Sequence, residues 1–370
     1  MNILCLDQFS RLGGGQLSLL SLLPGLKARG WHPVIAIPNE GPLADRARKS
    51  GLEVRALNAA SYANGHKTLF DVTRFAYEYP KLIRAIGQLL STYHIDLVYV
   101  NAPRILPSAA IAASIRSVPL VFHCHNRIVQ WLGVLAIGES LRLSGADVIA
   151  CCKYAAGPIL RYVRPERLSV LYNGVGEPFP SVPARRARLR HVGVIGRVEP
   201  EKGQMDFVRA ARAVLNRFPD CRFSVVGAPL FSSSKYLDQV VRASRELPVH
   251  FLGWQDDVAS ILADLDLLVV PSSPLDSAPR VIFEAFAARV PVVAFPSGGI
   301  PEIVKDGETG FLTAAATPAA LAQRICAILE MDSTRLQAIV NCAWERWREE
   351  YRLDVYRRRV GDFLLHAATT

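Results

Sequence analysis

Two carboxylates, Asp276 and Glu284, stand eight positions apart, the first in a polar loop and the second just inside an apolar helix. Among Val281, Ile282, Phe283, Ala285 and Phe286 an ionised Glu284 needs a hydroxyl or a cation beside it, because burying an uncompensated charge is costly. The spacing suits a ligand gripped at two points. An acid in the first turn that only complements the helix macrodipole, with Asp276 merely preceding the turn, fits the same residues.

Upstream, Gly193-Val194-Ile195-Gly196-Arg197-Val198-Glu199-Pro200-Glu201-Lys202-Gly203-Gln204 leaves a strand and opens a helix. On a helix Arg197 and Lys202 would diverge. On a loop they converge, next to an element that begins with free amides, an arrangement that binds a diphosphate. Two solvated surface cations are the plainer alternative. Downstream, Pro296-Ser297-Gly298-Gly299 again puts glycines at the carboxyl end of a strand, where backbone can approach a ligand closely. Asp264-Leu265-Asp266 leads straight into apolar Leu267-Leu268-Val269-Val270 and reads as the start of a strand rather than a metal clamp.

In the first half, Ser10-Arg11-Leu12-Gly13-Gly14-Gly15-Gln16 joins a strand to a leucine-rich helix, so the amides of Gly14 and Gly15 can cradle an oxyanion or admit a sugar. The run is not G-x-G-x-x-G and no acid ends the second strand, which leaves a dinucleotide site poorly supported. In Phe122-His123-Cys124-His125-Asn126-Arg127, alternation sends His123 and His125 to one side of an extended chain. His125 and Asn126 lie where a strand's carboxyl end meets a ligand crevice, and His123 reads as structural. A metal would need further ligands at suitable spacing, and none is apparent.

The elements that position these residues follow a βα rhythm, short apolar runs alternating with longer amphipathic stretches. Strands are predicted at 3–6, 34–37, 97–100, 120–123, 148–151 and 168–172, then at 191–195, 222–226, 249–252, 267–270 and 292–295. Two doubly wound parallel sheets follow. The proline-rich, then basic segment Glu177 to Arg186 suits a linker, which divides the chain into domains 1–180 and 181–345. The charged tail 346–370 has helical spacing and is expected to cross back to the first domain.

A chain of 370 residues, half of them hydrophobic, suits two globular domains. No run reaches the roughly 18 uncharged apolar residues of a membrane span, and the start lacks the basic region of a signal peptide. A cytoplasmic location is expected. The seven cysteines are odd in number and lack paired C-x-x-C spacing, which points to buried free thiols. Of the net charge of +10, residues 1–180 hold 19 Lys and Arg against 11 Asp and Glu, a balance of +8. That field favours phosphate-bearing acceptors or an anionic membrane surface, if it does more than keep the chain soluble. No basic stretch is interleaved with aromatics as in a nucleic-acid-binding motif, so nucleic acid is not expected as a partner.

Taken together, the second-half motifs resemble the C-terminal domain of retaining glycosyltransferases of family 4. The matching residues are Gly196-Arg197 with Glu201-Lys202-Gly203, Asp276 and Glu284 followed by Ala285-Phe286-Ala287, Pro291-Val292-Val293-Ala294, and Gly298-Gly299-Ile300-Pro301-Glu302-Ile303-Val304 with Gly310-Phe311-Leu312. Asn173-Gly174-Val175 and Gly13 to Gly15 extend the likeness over nearly the whole chain. The resemblance implies the α/β GT-B architecture, two Rossmann-like domains facing a central cleft, the first binding the acceptor and the second a nucleotide-diphosphate sugar. It implies that Arg197 and Lys202 hold the diphosphate, Glu284 bonds the ribose and Asp276 contacts the transferred sugar. His125 would touch that sugar from the other domain, and Gly14 and Gly15 would approach the phosphates or the acceptor. Gly227, Asp257 and Val258 would lie near the base. Two positions depart from the usual pattern: the first carboxylate is commonly Glu, and Pro279 stands where glycine is common, as in a known subset of the family.

The expected function is retaining transfer of a hexose from a UDP- or GDP-linked donor to a glycan or lipid-linked acceptor of cell-surface polysaccharide synthesis, at the inner membrane face. No cofactor or metal is expected, since two cations and helix-terminal amides can stabilise the departing diphosphate. No carboxylate is placed as a covalent nucleophile, so same-face attack is implied. The alternatives are a sugar-nucleotide epimerase or hydrolase on the same fold, or a non-catalytic nucleotide- or membrane-binding module.

Overall fold

The computed structural model describes residues 1–57, 69–178, 190–230 and 234–369, with the backbone alone over 69–78. Most of the predicted linker, from residue 179 onward, lies outside the described residues. The chain divides into two compact units, Met1–Gly174 with Asp354–Thr370, and Val175–Leu353.

The first unit holds a seven-stranded parallel sheet built from β1 (Asn2–Leu6), β2 (His32–Ile37), β3 (Glu53–Ala56), β4 (Leu97–Val100), β5 (Leu120–Cys124), β6 (Asp147–Ala150) and β7 (Leu168–Val170). Its order is β3-β2-β1-β4-β5-β6-β7. The chain therefore reverses its winding between β1 and β4, and in such sheets ligands bind beyond the strand ends at that switch. The strands β1, β4, β5 and β6 are buried along their length save Asn2, which is why they read as unbroken apolar runs. The helices are α1 (Gly14–Ala28), α2 (Pro42–Lys49), α3 (Leu69–Thr92), α4 (Leu106–Ile115), α5 (Trp131–Ser144) and the single turn α6 (Lys153–Ala156).

The second unit holds six parallel strands, β8 (His191–Ile195), β9 (Arg222–Val226), β10 (Val249–Gly253), β11 (Leu267–Val270), β12 (Val292–Ala294) and β13 (Phe311–Leu312), in the order β10-β9-β8-β11-β12-β13. The switch falls between β8 and β11. Around the sheet lie α7 (Gln204–Leu215), α8 (Lys235–Ala243), α9 (Val258–Asp264), α10 (Arg280–Ala287), α11 (Ile300–Ile303), α12 (Pro318–Leu329) and α13 (Ser333–Arg346). Phe207 of α7 meets Phe223 of β9 edge to face in a core closed by Leu321 and Ile325 of α12.

Two strands were not predicted. β3 is an edge strand with a partly or fully exposed Glu-Val-Arg-Ala sequence, and β13 has two residues, so neither produces an apolar run. The tail is not one helix. A π turn, Trp347–Tyr351, follows α13, and α14 (Leu353–Thr369) then belongs to the first unit. The Trp347 indole donates to the Val175 carbonyl, and Tyr351 packs edge to face on Phe283, so the turn anchors within the second unit.

Asp266 behaves as the start of a strand: its carboxylate accepts from the amides of Arg190 and His191, both at 2.8 Å. All seven cysteines are free thiols, six buried and Cys342 exposed. No helix among the described residues is long and apolar enough to cross a membrane.

Candidate active site

In the first unit the carboxyl ends of β1, β4 and β5 bring together residues far apart in sequence. Asp7, directly after β1, is fully buried. It accepts hydrogen bonds from the Phe9 amide at 2.9 Å, from Gln16 Nε2 at 2.9 and 3.0 Å, and from Asn101 Nδ2 at 2.6 Å. Burial pushes its carboxyl above the ordinary range and these donors pull it back. Asn101, after β4, presents its Oδ1 to His125 Nε2 at 2.7 Å. Because the amide nitrogen of Asn101 is committed to Asp7, its oxygen must accept, which assigns the proton of His125 to Nε2.

The other nitrogen of that ring, Nδ1, is shielded from solvent and has no hydrogen-bonding partner among the described residues. A neutral imidazole held this way offers one lone pair to whatever enters. Burial lowers the His125 pKa to about 4. His123 stacks on it with ring centroids 3.9 Å apart and bonds the Tyr99 hydroxyl, in keeping with a structural role.

Alternation does put both histidines on one side of the chain. Asn126 beside them is exposed. Gly14 and Gly15 open α1; a Cβ on Gly15 would stand 3.2 Å from the His125 ring, whereas one on Gly14 would meet nothing within 4 Å. The loop therefore packs on His125 at Gly15 and leaves space at Gly14. Asp7, Gln16 and Asn101 were not singled out from the sequence. The one local signal was an acid immediately after a buried strand.

The His125 environment has a measurable consequence. Between pH 6.5 and 4 the unfolded chain protonates this imidazole and the folded chain does not. The stability gained by keeping it neutral is thus complete above pH 6.5 and is lost as pH falls toward 4. In chemical denaturation at about pH 7 and pH 4.5, His125→Asn should gain about 2 to 3 kcal/mol relative to wild type at the lower pH. Parallel pH profiles for the two proteins would contradict the assignment.

In the second unit the carboxyl ends of β8, β11 and β12 do the same. Gly196 and Arg197 follow β8, and a single 3-10 turn, Pro200–Lys202, precedes α7. Lys202 Nζ lies 2.6 Å from Asp276 Oδ2, the two side chains 20% and 10% exposed. Arg197 turns to Glu199 at 2.7 Å, and its carbonyl accepts from Gln204 Nε2 at 2.7 Å. Arg197 and Lys202 are therefore not two solvated surface cations; each is held by a carboxylate. Lys202 also lines a small cavity with Ile195, Ser272, Pro279 and Val281.

Glu284 finds its cation within its own helix: Arg280 Nε, one turn earlier, lies 2.9 Å away. Gly298, at φ 57°, would place a Cβ 2.1 Å from the Asp276 carbonyl oxygen, so glycine there lets the β12 loop lie against the Asp276 loop. Gly299 is the N-cap of α11. Gly227, at φ 138°, packs backbone to backbone on Gly196, where a Cβ would stand 1.9 Å from the Gly196 oxygen. Asp257 caps α9, accepting from the Ser260 amide at 3.1 Å and from its hydroxyl, which hold its carboxyl below the usual range. Val258 is the first residue of that helix. Among the described residues no three His, Cys, Asp or Glu side chains form a metal-binding group.

The second unit can thus hold an anion at Lys202 and Arg197 beside the Asp276 carboxylate, and the first unit, taken by itself, offers the neutral imidazole of His125 to a polar group. Comparison with known proteins gives the family. The family described as Glycosyltransferase Family 4 matches residues 12–176, and that described as Glycosyl transferases group 1 matches residues 190–331. The UDP-Gal:alpha-D-GlcNAc-diphosphoundecaprenol alpha-1,3-galactosyltransferase of Escherichia coli is 26% identical over 345 residues, covering 82% of this chain and 84% of that protein. The phosphatidyl-myo-inositol mannosyltransferase of Mycobacterium tuberculosis is 27% identical over 359 residues, covering 90% and 89%. Among solved structures, Anabaena HepE in complex with UDP superposes with a TM-score of 0.82 at 25% identity, covering 99% of this chain and 100% of that one. Sucrose-phosphate synthase from Thermosynechococcus elongatus gives 0.78 at 19% identity over 99% and 98%. The fold is that of the α/β GT-B glycosyltransferases.

Proposed function

Because the chain belongs to the group 1 glycosyltransferases of family 4, we propose that it moves a hexose from a UDP- or GDP-linked donor, with retention and without a metal, to a glycan or lipid-linked acceptor of surface-polysaccharide assembly. The observation that carries the donor side is the Lys202 to Asp276 pair at the carboxyl edge of the second sheet, beside Arg197 and the amides that open α7.

In this reading the donor diphosphate takes Lys202 and Arg197, and Asp276 is released to bond the sugar. Glu284, oriented by Arg280, binds the ribose. Gly227, Asp257 and Val258 flank the base, and the backbone of Gly196, Gly298 and Gly299 lies close to the donor. His125 meets the sugar through Nδ1, with Asn126, Gly14 and Gly15 on the acceptor side. The bond from the anomeric carbon to the diphosphate breaks as the acceptor oxygen attacks on the same face, and the acceptor proton passes to the departing phosphate oxygen. The cations stabilise the charge that develops there.

The acceptor class draws on the relatives, one named for a diphosphoundecaprenol acceptor and one for phosphatidyl-myo-inositol. Action at the inner membrane face goes with that class and with the positive first half of the chain. A thermal-shift screen with UDP, GDP and ADP tests the donor. A ligand at 100 times its dissociation constant stabilises by about 2.7 kcal/mol, so UDP or GDP should raise the melting temperature by several degrees and ADP should not. No shift with either would count against the reading.

A further inference from the structure

Helices α4 and α5, neighbours in the first unit, bury apolar sides and also expose mostly apolar ones. α5 buries Ile137, Gly138 and Leu141. It nevertheless exposes Trp131 at 73%, Leu132 at 60%, Leu135 at 43% and Leu143 at 75%, with Val129 just before it at 60%. α4 carries no charge, and its Ile111 and Ile115, one turn apart, are 41% and 70% exposed. A helix apolar all round is normally covered by protein or lipid, and a surface helix normally shows water a charged face. The two helices hold one acid and one base, Glu139 and Arg142, and these pair with each other at 2.6 Å.

Within the segment that carries these helices, the charges outside the Glu139–Arg142 pair are all positive. Residues 97–146 contain four arginines, Arg104, Arg116, Arg127 and Arg142, and the single acid Glu139. Arg104 precedes α4 and exposed Arg116 follows it, while Arg127, before α5, is half-buried and donates to the Tyr154 carbonyl, so cations stand at the ends of α4 while apolar side chains dominate the exposed faces. Tryptophan and leucine over the acyl boundary with arginine at the phosphate level is the composition of a surface that lies in a bilayer interface.

We propose that the exposed face of α4 and α5, with Trp131 and Leu132 at its centre, docks this protein onto a bilayer rich in anionic phospholipid. The surface gives a location to the lipid-linked acceptor of the preceding section, and its purpose rests on that reading, although the binding itself does not. Trp131 lies six residues beyond His125, so the docked helix begins beside the candidate acceptor side.

The test is vesicle flotation of the full chain at low salt, with phosphatidylglycerol–phosphatidylcholine vesicles and with phosphatidylcholine alone. It compares wild type with the triple variant Trp131→Ser, Leu132→Ser, Leu135→Ser. The mass of each protein in solution is measured by light scattering, and the far-UV circular dichroism and thermal unfolding midpoint report folding. The expected result is flotation of wild type on the anionic vesicles, an at least tenfold smaller bound fraction for the folded variant, and weaker binding on neutral lipid.

Wild type that does not float, or a variant that floats equally, overturns the proposal. So does a wild-type dimer that the variant turns into a monomer while flotation is unchanged, since the face then pairs two copies. Flotation as expected without sugar transfer to any lipid extract would leave the docking surface standing and remove the proposed acceptor.

Discussion

Lys202→Ala is expected to lower kcat/KM for sugar transfer by about 100- to 1,000-fold, the range found when one donor to a developing oxyanion is removed. The leaving group gathers charge on the diphosphate, and Lys202 is the cation whose resting partner, Asp276, is itself assigned to the substrate. The substitution also leaves Asp276, 10% exposed, without its cation. A loss of stability of about 1 to 3 kcal/mol should accompany the kinetic effect. Asp276→Asn in the same background should recover much of the stability and none of the rate. Steady-state kinetics with denaturation curves for the three proteins separates the two effects. A Lys202→Ala protein that keeps a tenth of the wild-type kcat/KM would contradict the role.

Asp7→Ala is expected to cost about 2 to 4 kcal/mol of stability, because it strips the acceptor from donors on Phe9, Gln16 and Asn101 in a site with no access to water. Asp7→Asn is the more instructive variant. An amide at position 7 can donate to Asn101 Oδ1, and Asn101 then turns its Nδ2 toward His125. The imidazole must accept at Nε2 and carry its proton on Nδ1, the reverse of the wild-type tautomer. A residue that only supports the fold would lower stability and leave kcat per folded molecule intact. A positioning residue lowers kcat by about 10- to 100-fold with little change in KM, and the 15N shifts of His125 report the exchanged tautomer. An unchanged tautomer with a normal kcat would remove Asp7 from the account.

The parts of the molecule that were readable from sequence are those whose signal is local. Strands buried on both faces, such as Leu97–Val100 and Leu267–Val270, announce themselves as apolar runs, and the glycine turns after β8 and β12 announce the strand ends. The edge strand β3 and the two-residue β13 carry no such signal. The pairing of side chains was legible only within a helical turn. Arg280 stands four positions before Glu284, so the cation that lets this acid sit among apolar residues is already present in the sequence. The half-buried acid by itself therefore does not require a ligand.

Contacts made by topology were not legible. Lys202 meets Asp276 across 74 positions and Asn101 meets Asp7 across 94, because parallel strands bring their carboxyl ends to one edge regardless of the helices between them. The family resemblance implies separate roles for Lys202 and Asp276, and the structure pairs them. In the proposed reaction this pairing would make donor binding an exchange of partners, with the diphosphate replacing Asp276 at Lys202.

Retaining transfer from a nucleotide sugar is decided by the anomeric configuration of the product. Protein incubated with α-linked UDP- or GDP-hexose and a lipid-linked glycan extract should yield a product whose anomeric proton reports an α linkage by NMR, with nucleoside diphosphate released in equal amount. A β-linked product would contradict the same-face mechanism, and release of free sugar without any glycosylated acceptor would contradict the transfer itself.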